Sequence, residues 1–411
     1  MLELLTGRAP YRMASCTERL WIVANQLYPP FINQMVFEGG GEAEGDFDHA
    51  RWSEALRRVT EAQPGCRIRL RGFSRYLHWT PDGKPPRLRI VDGGNWDGRG
   101  PAGADFLRDG LDADTGPVTE VLLVRGKPAR VIIRTLHAVM DGGGTILFAK
   151  GLFAALRDDP PPRAALDPTT DADIAASLTD RKAAPLARTS PHLTGTRQGK
   201  SLETVWVRAT VKGRVSQVLS RFSLALVRHA QVQDVEQIRL AYPVDLRRHR
   251  PDLASNANLT GMCVLPVGHF LTRQDPTAAF GEGLQQAIGR ADHARDTLNR
   301  EFVRDWPLWL LRLVGTAVRI QKLKASHDEH SGVISNLGFI DTGPFQAPGF
   351  ATQRIFFIPP VVGTMEAFAT LTGHPRGLEI CIGAPVALAG GGRLQRLTDL
   401  VRDELQSQAR P

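Results

Sequence analysis

The run Arg130-Val-Ile-Ile-Arg-Thr-Leu136-His137-Ala-Val-Met-Asp141-Gly142-Gly143-Gly144-Thr145-Ile146 changes character twice. Its first seven residues are largely apolar and β-branched, as a strand requires. Its end opens a helix with Ile146, Ala149, Phe153 and Leu156 on one face, and three glycines lie between. His137 therefore stands at a strand mouth, held by a rigid element where a glycine turn lets a ligand approach closely. An imidazole ionises near neutrality and can take a proton from an attacking hydroxyl or amine. Asp141 can hold the turn or orient the ring. A surface histidine in a glycine-rich turn would show the same spacing, so six residues alone do not separate the two readings.

The elements on either side set the context. Apolar runs at 118–124 and 130–136, joined by Arg125-Gly126-Lys127-Pro128, have the pattern of an antiparallel hairpin. Asp48 caps a helix in which Trp52, Ala55, Leu56 and Val59 repeat at helical spacing and which Pro64-Gly65 stops. A strand is expected at 66–72, where Arg67, Arg69 and Arg71 alternate with Ile68 and Leu70, and Gly- and Pro-rich turns fill 80–117 around a short apolar segment at 88–91. Residues 158–200 shift to Pro, Asp, Thr, Arg and Ala with little periodicity and read as a linker, mobile in part. Beyond it come strands at 204–211, one ending in Tyr242-Pro243-Val244-Asp245-Leu246-Arg247, and one at 260–267. Helices are expected near 215–226, 276–297 and 305–324. Strands at 331–336, 353–359, 362–371 and 377–385 follow, then a helix carrying Leu394, Leu397, Val401 and Leu405. The class is α/β (α+β) with mixed, largely antiparallel sheets. At 411 residues a single core is not expected to suffice. The divisions expected are a lobe at 1–160, a linker at 161–200 and a second lobe at 201–411.

Composition narrows the function classes. Hydrophobic residues make up 42% and charged residues 23%, a balance that folds. No run approaches the roughly 18 apolar residues of a spanning helix, and Met1–Pro10 lacks the pattern of a secretory leader, so a cytoplasmic protein with no membrane span is expected. Cys16, Cys66, Cys263 and Cys381 are scattered without a C-x-x-C pair, which argues against a disulfide framework or zinc cluster. The net charge of +8 suits an anionic partner, but the basic residues are dispersed and no reader motif accompanies them, so nucleic acid is not expected. Phosphorylated coenzymes and acidic carrier proteins fit the same charge. No Walker loop, G-x-S-x-G elbow or dinucleotide fingerprint is present, and the histidines show no metal spacing, so metal, ATP and NAD are not expected.

Four separated segments carry a resemblance. His137-Ala-Val-Met-Asp141-Gly142 resembles the H-x-x-x-D-G motif of the chloramphenicol acetyltransferase-like superfamily. That superfamily includes carnitine acyltransferases, wax ester synthases, polyketide-associated acyltransferases and nonribosomal-peptide condensation domains. Glu18-Arg19-Leu20-Trp21, with the helix ending Ala62-Gln63-Pro64-Gly65-Cys66-Arg67-Ile68-Arg69, is similar to the opening of bacterial alcohol acyltransferases and free-standing condensation proteins. Asp245-Leu246-Arg247 with Asn256 and Asn258 is similar to the D-x-R…N segment, and Ser335-Asn336-Leu337-Gly338 to the S-N-x-G turn. Relatives often have two consecutive histidines where this chain has Leu136-His137, and the reacting one is the second.

The resemblance implies two chloramphenicol acetyltransferase-like lobes in a V-shaped pseudo-dimer with a central tunnel. His137 would be general base, Asp141 a structural residue turned from the substrate, Gly142 a steric one, and Arg247 the partner of Asp141. Arg247 reads equally as a surface charge in its basic run. Ser335 or Asn336 would donate to an oxyanion, or simply close a turn. The implied activity moves an acyl group from a thioester, on coenzyme A or carrier-protein phosphopantetheine, to a hydroxyl or amine, with no tightly bound cofactor. A monomer working in natural-product biosynthesis is expected. The alternative is a catalytically degenerate condensation-like fold that binds or recruits a partner.

Overall fold

The computed structural model describes residues 11–40 and 47–410; Met1–Pro10, read above for a leader, lie outside the described residues. Arg130–Leu136 is buried along its whole length. It lies inside a six-stranded sheet, between Thr119–Arg125 and Ile32–Gly40, so neither of its faces meets water and Val131, Ile132 and Ile133 follow one another without alternation. Arg134, the charge inside it, is matched across the hairpin by Glu120 and by the Leu107 and Asp109 carbonyls. A strand carrying an unpaired cation there would not be buried.

The full order of this first sheet is Gln346–Ala347, Phe350–Ile358, Ile32–Gly40, Arg130–Leu136, Thr119–Arg125, Arg87–Asp92, with only the last pair parallel. Its core is closed by the helices His49–Ala62 and Gly142–Leu156, through Trp52, Val59, Phe148 and Phe153. A second six-stranded sheet runs Thr260–Pro266, Arg239–Asp245, Gly332–Phe339, Ala367–His374, Gly377–Pro385, Thr204–Lys212, with parallel pairs at Arg239–Asp245/Gly332–Phe339 and Gly332–Phe339/Ala367–His374. Val218–Arg228, Pro276–Gly289 and Arg393–Ser407 cover it and form a separate core. Two sheets with two cores are the mixed α/β, two-lobed architecture that the element pattern predicts.

Three expectations need correction. The strand expected at 353–359 among those of the second lobe is Phe350–Ile358, and it pairs in the first sheet, with Phe357 opposite Met35. Periodicity marks a strand but not its neighbours. Ile355 and Phe357 enter the first core while Phe356 and Ile358 pack with Trp206 and Cys381 between the sheets. Segment 161–200, read as a linker of little periodicity, contains the helix Asp171–Leu178, started by a capping box of Thr170 and Asp173, and a strand Ser190–Pro191 paired with His327–Asp328. The helix expected over 276–297 is two, Pro276–Gly289 and Asp292–Asn299, broken where Ala291 takes a φ of 57°.

The sheets are also joined by charge. Arg208 of Thr204–Lys212 donates Nη1 and Nη2 to the two oxygens of Glu38 on Ile32–Gly40, each at 3.0 Å, and its Nε to Glu379 at 2.8 Å. Arg130 adds a further bond to Glu38 at 3.1 Å. All four side chains are buried, so each charge depends on the others for its solvation.

Candidate active site around His137

The strand ends at Leu136, and the next residue is fixed at its backbone from both halves of the chain. The His137 N–H donates to the Phe31 carbonyl at 3.4 Å, and its own carbonyl accepts from Asn258 Nδ2 at 2.6 Å. The ring stacks on Trp21, with centroids 5.6 Å apart and planes 18° apart, and meets Phe31 edge-on at 5.1 Å. Asn33 Nδ2 donates to the Met140 carbonyl at 2.6 Å and sits 3.0 Å from His137 Nδ1. The other ring nitrogen, Nε2, bonds no described side chain, and the ring lines a cavity of about 90 Å³. Burial pushes the imidazole down to about 4, against the Asp141 charge and the Met140 carbonyl, which favour the protonated ring. At neutral pH the ring is therefore uncharged and keeps a lone pair for a proton.

Asp141 does not compete for that ring. It is the N-cap of Gly142–Leu156, accepting from the Gly144 N–H at 2.7 Å. Arg247 donates Nη1 to Oδ2 at 3.0 Å and Nη2 to Oδ1 at 3.1 Å, and the Leu259 N–H and Thr260 hydroxyl add bonds at 2.8 and 3.0 Å. Burial would raise the carboxyl, but Arg247 and these N–H donors outweigh it and hold the pKa below the usual carboxylate range. Arg247 is in turn fixed by the Ser255 and Ala257 carbonyls and by Asp245 at 2.9 Å. Of the two readings open for Arg247 in the sequence, the buried brace is the one observed.

The glycine turn is needed for close packing, most severely at Gly144. A Cβ there would lie 2.2 Å from the Asn256 carbonyl oxygen, whereas one at Gly142 would meet only the end of the Leu337 side chain at 2.9 Å. The steric role expected of Gly142 thus falls more heavily two residues later. Ser335 and Asn336 separate as well. Their segment is not a turn but part of the strand Gly332–Phe339, with a register shift between Asn336 and Phe339. Side chains alternate along a strand, so Ser335 faces the cavity beside His137 while Asn336 is exposed, accepting from the Gly338 N–H at 3.1 Å.

Trp21, Asn33, Asn258 and Thr260 complete the surroundings and were not singled out as site residues in the sequence. Asn33 did leave a signal: a buried amide at the start of the apolar strand Ile32–Gly40 demands partners. The cavity wall is otherwise mainly apolar, including Met262, Val333, Phe357 and Phe368. At about 90 Å³ it falls well below the roughly 300–1,000 Å³ of pockets that enclose compact ligands.

No family model and no curated protein matches the sequence. Solved structures do. The first condensation domain of the calcium-dependent antibiotic synthetase, in complex with a substrate analogue, is 17% identical over 98% of each chain at a TM-score of 0.60. The chain has the condensation-domain fold. The condensation domain of the monacolin K polyketide synthase MokA shares it at 12% identity over 97% of each chain, TM-score 0.62. So does the starter condensation domain of rhizomide synthetase RzmA, a variant in complex with C8-CoA, at 14% identity over 100% of this chain and 98% of that one, TM-score 0.57. Within the condensation fold, the cavity beside His137 is walled by strands of both sheets, Ile32–Gly40 on one side and Gly332–Phe339 and Ala367–His374 on the other.

Proposed function

We propose that this chain transfers an acyl group from a thioester to a hydroxyl or amine, with His137 as general base. The observation that carries this reading is an imidazole, uncharged at neutral pH, that lines a narrow apolar cavity beside a carboxylate occupied by Arg247. The thioester arm, of coenzyme A or a carrier protein's phosphopantetheine, and the acceptor would meet in this cavity, the constriction of a tunnel between lobes. A structural neighbour described with C8-CoA supports an acyl thioester as donor.

His137 Nε2 takes the proton from the acceptor O–H or N–H as that atom bonds the thioester carbonyl. For Nε2 to accept it, Nδ1 carries the hydrogen in the neutral ring as well, and the Met140 carbonyl, which favours the charged ring, stabilises the imidazolium that forms. The tetrahedral oxyanion collapses, the C–S bond breaks, and Nε2 returns the proton to the thiolate. Thr260 and Thr370 are committed to Asp141 and the Phe357 carbonyl, which leaves Ser335 as the cavity hydroxyl able to meet the oxyanion. All four cysteines are buried, and burial pushes their thiols up, to about 12 for Cys16, Cys66 and Cys263 and higher for Cys381, so no acyl-enzyme is invoked.

The test is free-thiol release from acyl-coenzyme A and acyl-carrier donors with mixed alcohol and amine acceptors, comparing wild type with His137→Ala. Acceptor-dependent release should fall by about 10² or more in the variant. Equal release from both proteins would remove His137 as the base, and donor binding without turnover in either would leave a binding module instead.

A further inference from the structure

Six of the twelve large hydrophobic side chains exposed among the described residues lie between Phe302 and Ile320. The helix Leu308–Lys322 packs on Cys16–Leu27 through its buried Leu311 and through Gly315, where a Cβ would lie 2.9 Å from Leu27. Trp309, Leu313 and Ile320 stack along the opposite side at helical spacing, 58%, 62% and 53% exposed. Phe302, 64% exposed, lies edge-on to Trp306 just before this helix. Phe73, 63% exposed, adjoins Ser74, whose hydroxyl donates to the Asp305 carbonyl ahead of the helix at 2.5 Å.

Charge follows the same helix. Arg312 and Arg319 lie along one edge of the apolar face and make no ion pair among the described residues. From 304 to 324 there are five basic residues against one acidic, Asp305; Arg304 pairs with Glu301 and Lys322 with Asp328 and Glu366, while Arg312 and Arg319 stay on the helix surface. Among the described residues no helix is long and apolar enough to cross a membrane. A convex apolar ridge with aromatic side chains and a basic edge is the form that lies in a bilayer interface, its side chains in the acyl boundary and its guanidinium groups level with lipid phosphates. A folded protein partner would need a groove cut to this ridge. Leu308, at the start of the helix, also lines a pocket of about 530 Å³ that reaches Leu136, next to His137.

We propose that the Trp309/Leu313/Ile320 face seats this protein on an anionic phospholipid surface, with the helix in the interface plane and the 530 Å³ pocket near the lipid. Seating does not depend on the chemistry at His137. The full chain is to be sedimented with vesicles of phosphatidylcholine alone and of phosphatidylcholine with an equal part of phosphatidylglycerol. Wild type is expected to partition onto the anionic vesicles, less onto the neutral ones, and to be released by salt. Trp309→Ser/Leu313→Ser changes only outward-facing side chains and should lower that partition by about tenfold or more. Arg312→Glu/Arg319→Glu should abolish the preference for anionic lipid. Equal partition of wild type and the Trp309/Leu313 variant, or no partition of wild type, overturns the proposal. So does a wild-type dimer that the variant converts to monomer without vesicle binding, which would give the face to a second copy, or loss of binding to an acidic carrier protein alone.

Discussion

Arg247 holds Asp141 with both guanidinium nitrogens, at 3.0 and 3.1 Å, and so joins the strand end of one sheet to the glycine turn of the other. Both groups are largely buried, which makes the pair costly to break from one side. Arg247→Ala is expected to destabilise the fold by roughly 3–5 kcal/mol, because a carboxylate remains buried without its cation. Arg247→Lys, which keeps the charge but loses the fork, should recover only part of that. Urea denaturation checks both, and a wild-type midpoint for Arg247→Ala would show that the brace is not needed.

The ring of His137 is governed by burial and by what faces Nδ1. Held at about 4, it is deprotonated above that pH, so the acid limb of kcat/KM should lie near 4 and the profile should be flat through neutrality. Asn33→Asp places a carboxylate where the amide now sits, 3.0 Å from Nδ1. An adjacent negative charge favours the imidazolium, so the limb should move to higher pH. A pH–rate profile that does not shift would remove Asn33 from control of the ring.

Gly142 and Gly144 should fail in different ways. Gly144→Ala sets a Cβ against the Asn256 backbone, which cannot step aside, and should cost about 1–3 kcal/mol or more together with the brace. Gly142→Ala meets a movable Leu337 side chain on the cavity wall and should leave stability near wild type while raising KM for the longer donors. Thermal unfolding with steady-state kinetics separates them, and the opposite order would refute this account.

Acid should loosen the junction between the sheets. Burial would raise the Glu379 carboxyl, but hydrogen bonds from His374, Arg208 and Thr210 outweigh it and hold the group at about 2. A depressed carboxyl contributes its stability above its unfolded pKa and loses it as the pH falls through the folded value. The loss should therefore run from the ordinary glutamate range near 4.5 down to about 2. Glu379→Gln should be less stable than wild type at neutral pH and lose less on acidification. Parallel pH–stability curves would argue against the linkage.

Much of this protein is written in local pattern. The hairpin ending at Leu136, the Asp48 cap and the alternation of Thr204–Lys212 are short-range preferences of backbone and solvent, and they determine the elements and the place of His137 at a strand mouth. The motif resemblance added Asp141 and Arg247, which the fold brings together across 106 positions of sequence.

What the sequence left open depends on long-range geometry. Apolar spacing does not tell Phe350–Ile358 which sheet to join; that depends on which edge is free and which core needs Phe357. Nor does it tell Ser335 from Asn336, since the pleat alone turns one into the cavity and the other to solvent. Asn33 reaches His137 by strand pairing, Trp21 by stacking and Asn258 from the other half of the chain, so the depressed imidazole is a property of tertiary burial. The sequence by itself determined most of the elements and the place of His137 at a strand mouth, because those follow from local sterics and polarity. The tertiary structure alone decided the cavity, the ring's protonation and the exposed Trp309 face, because each depends on what distant segments cover or leave in water.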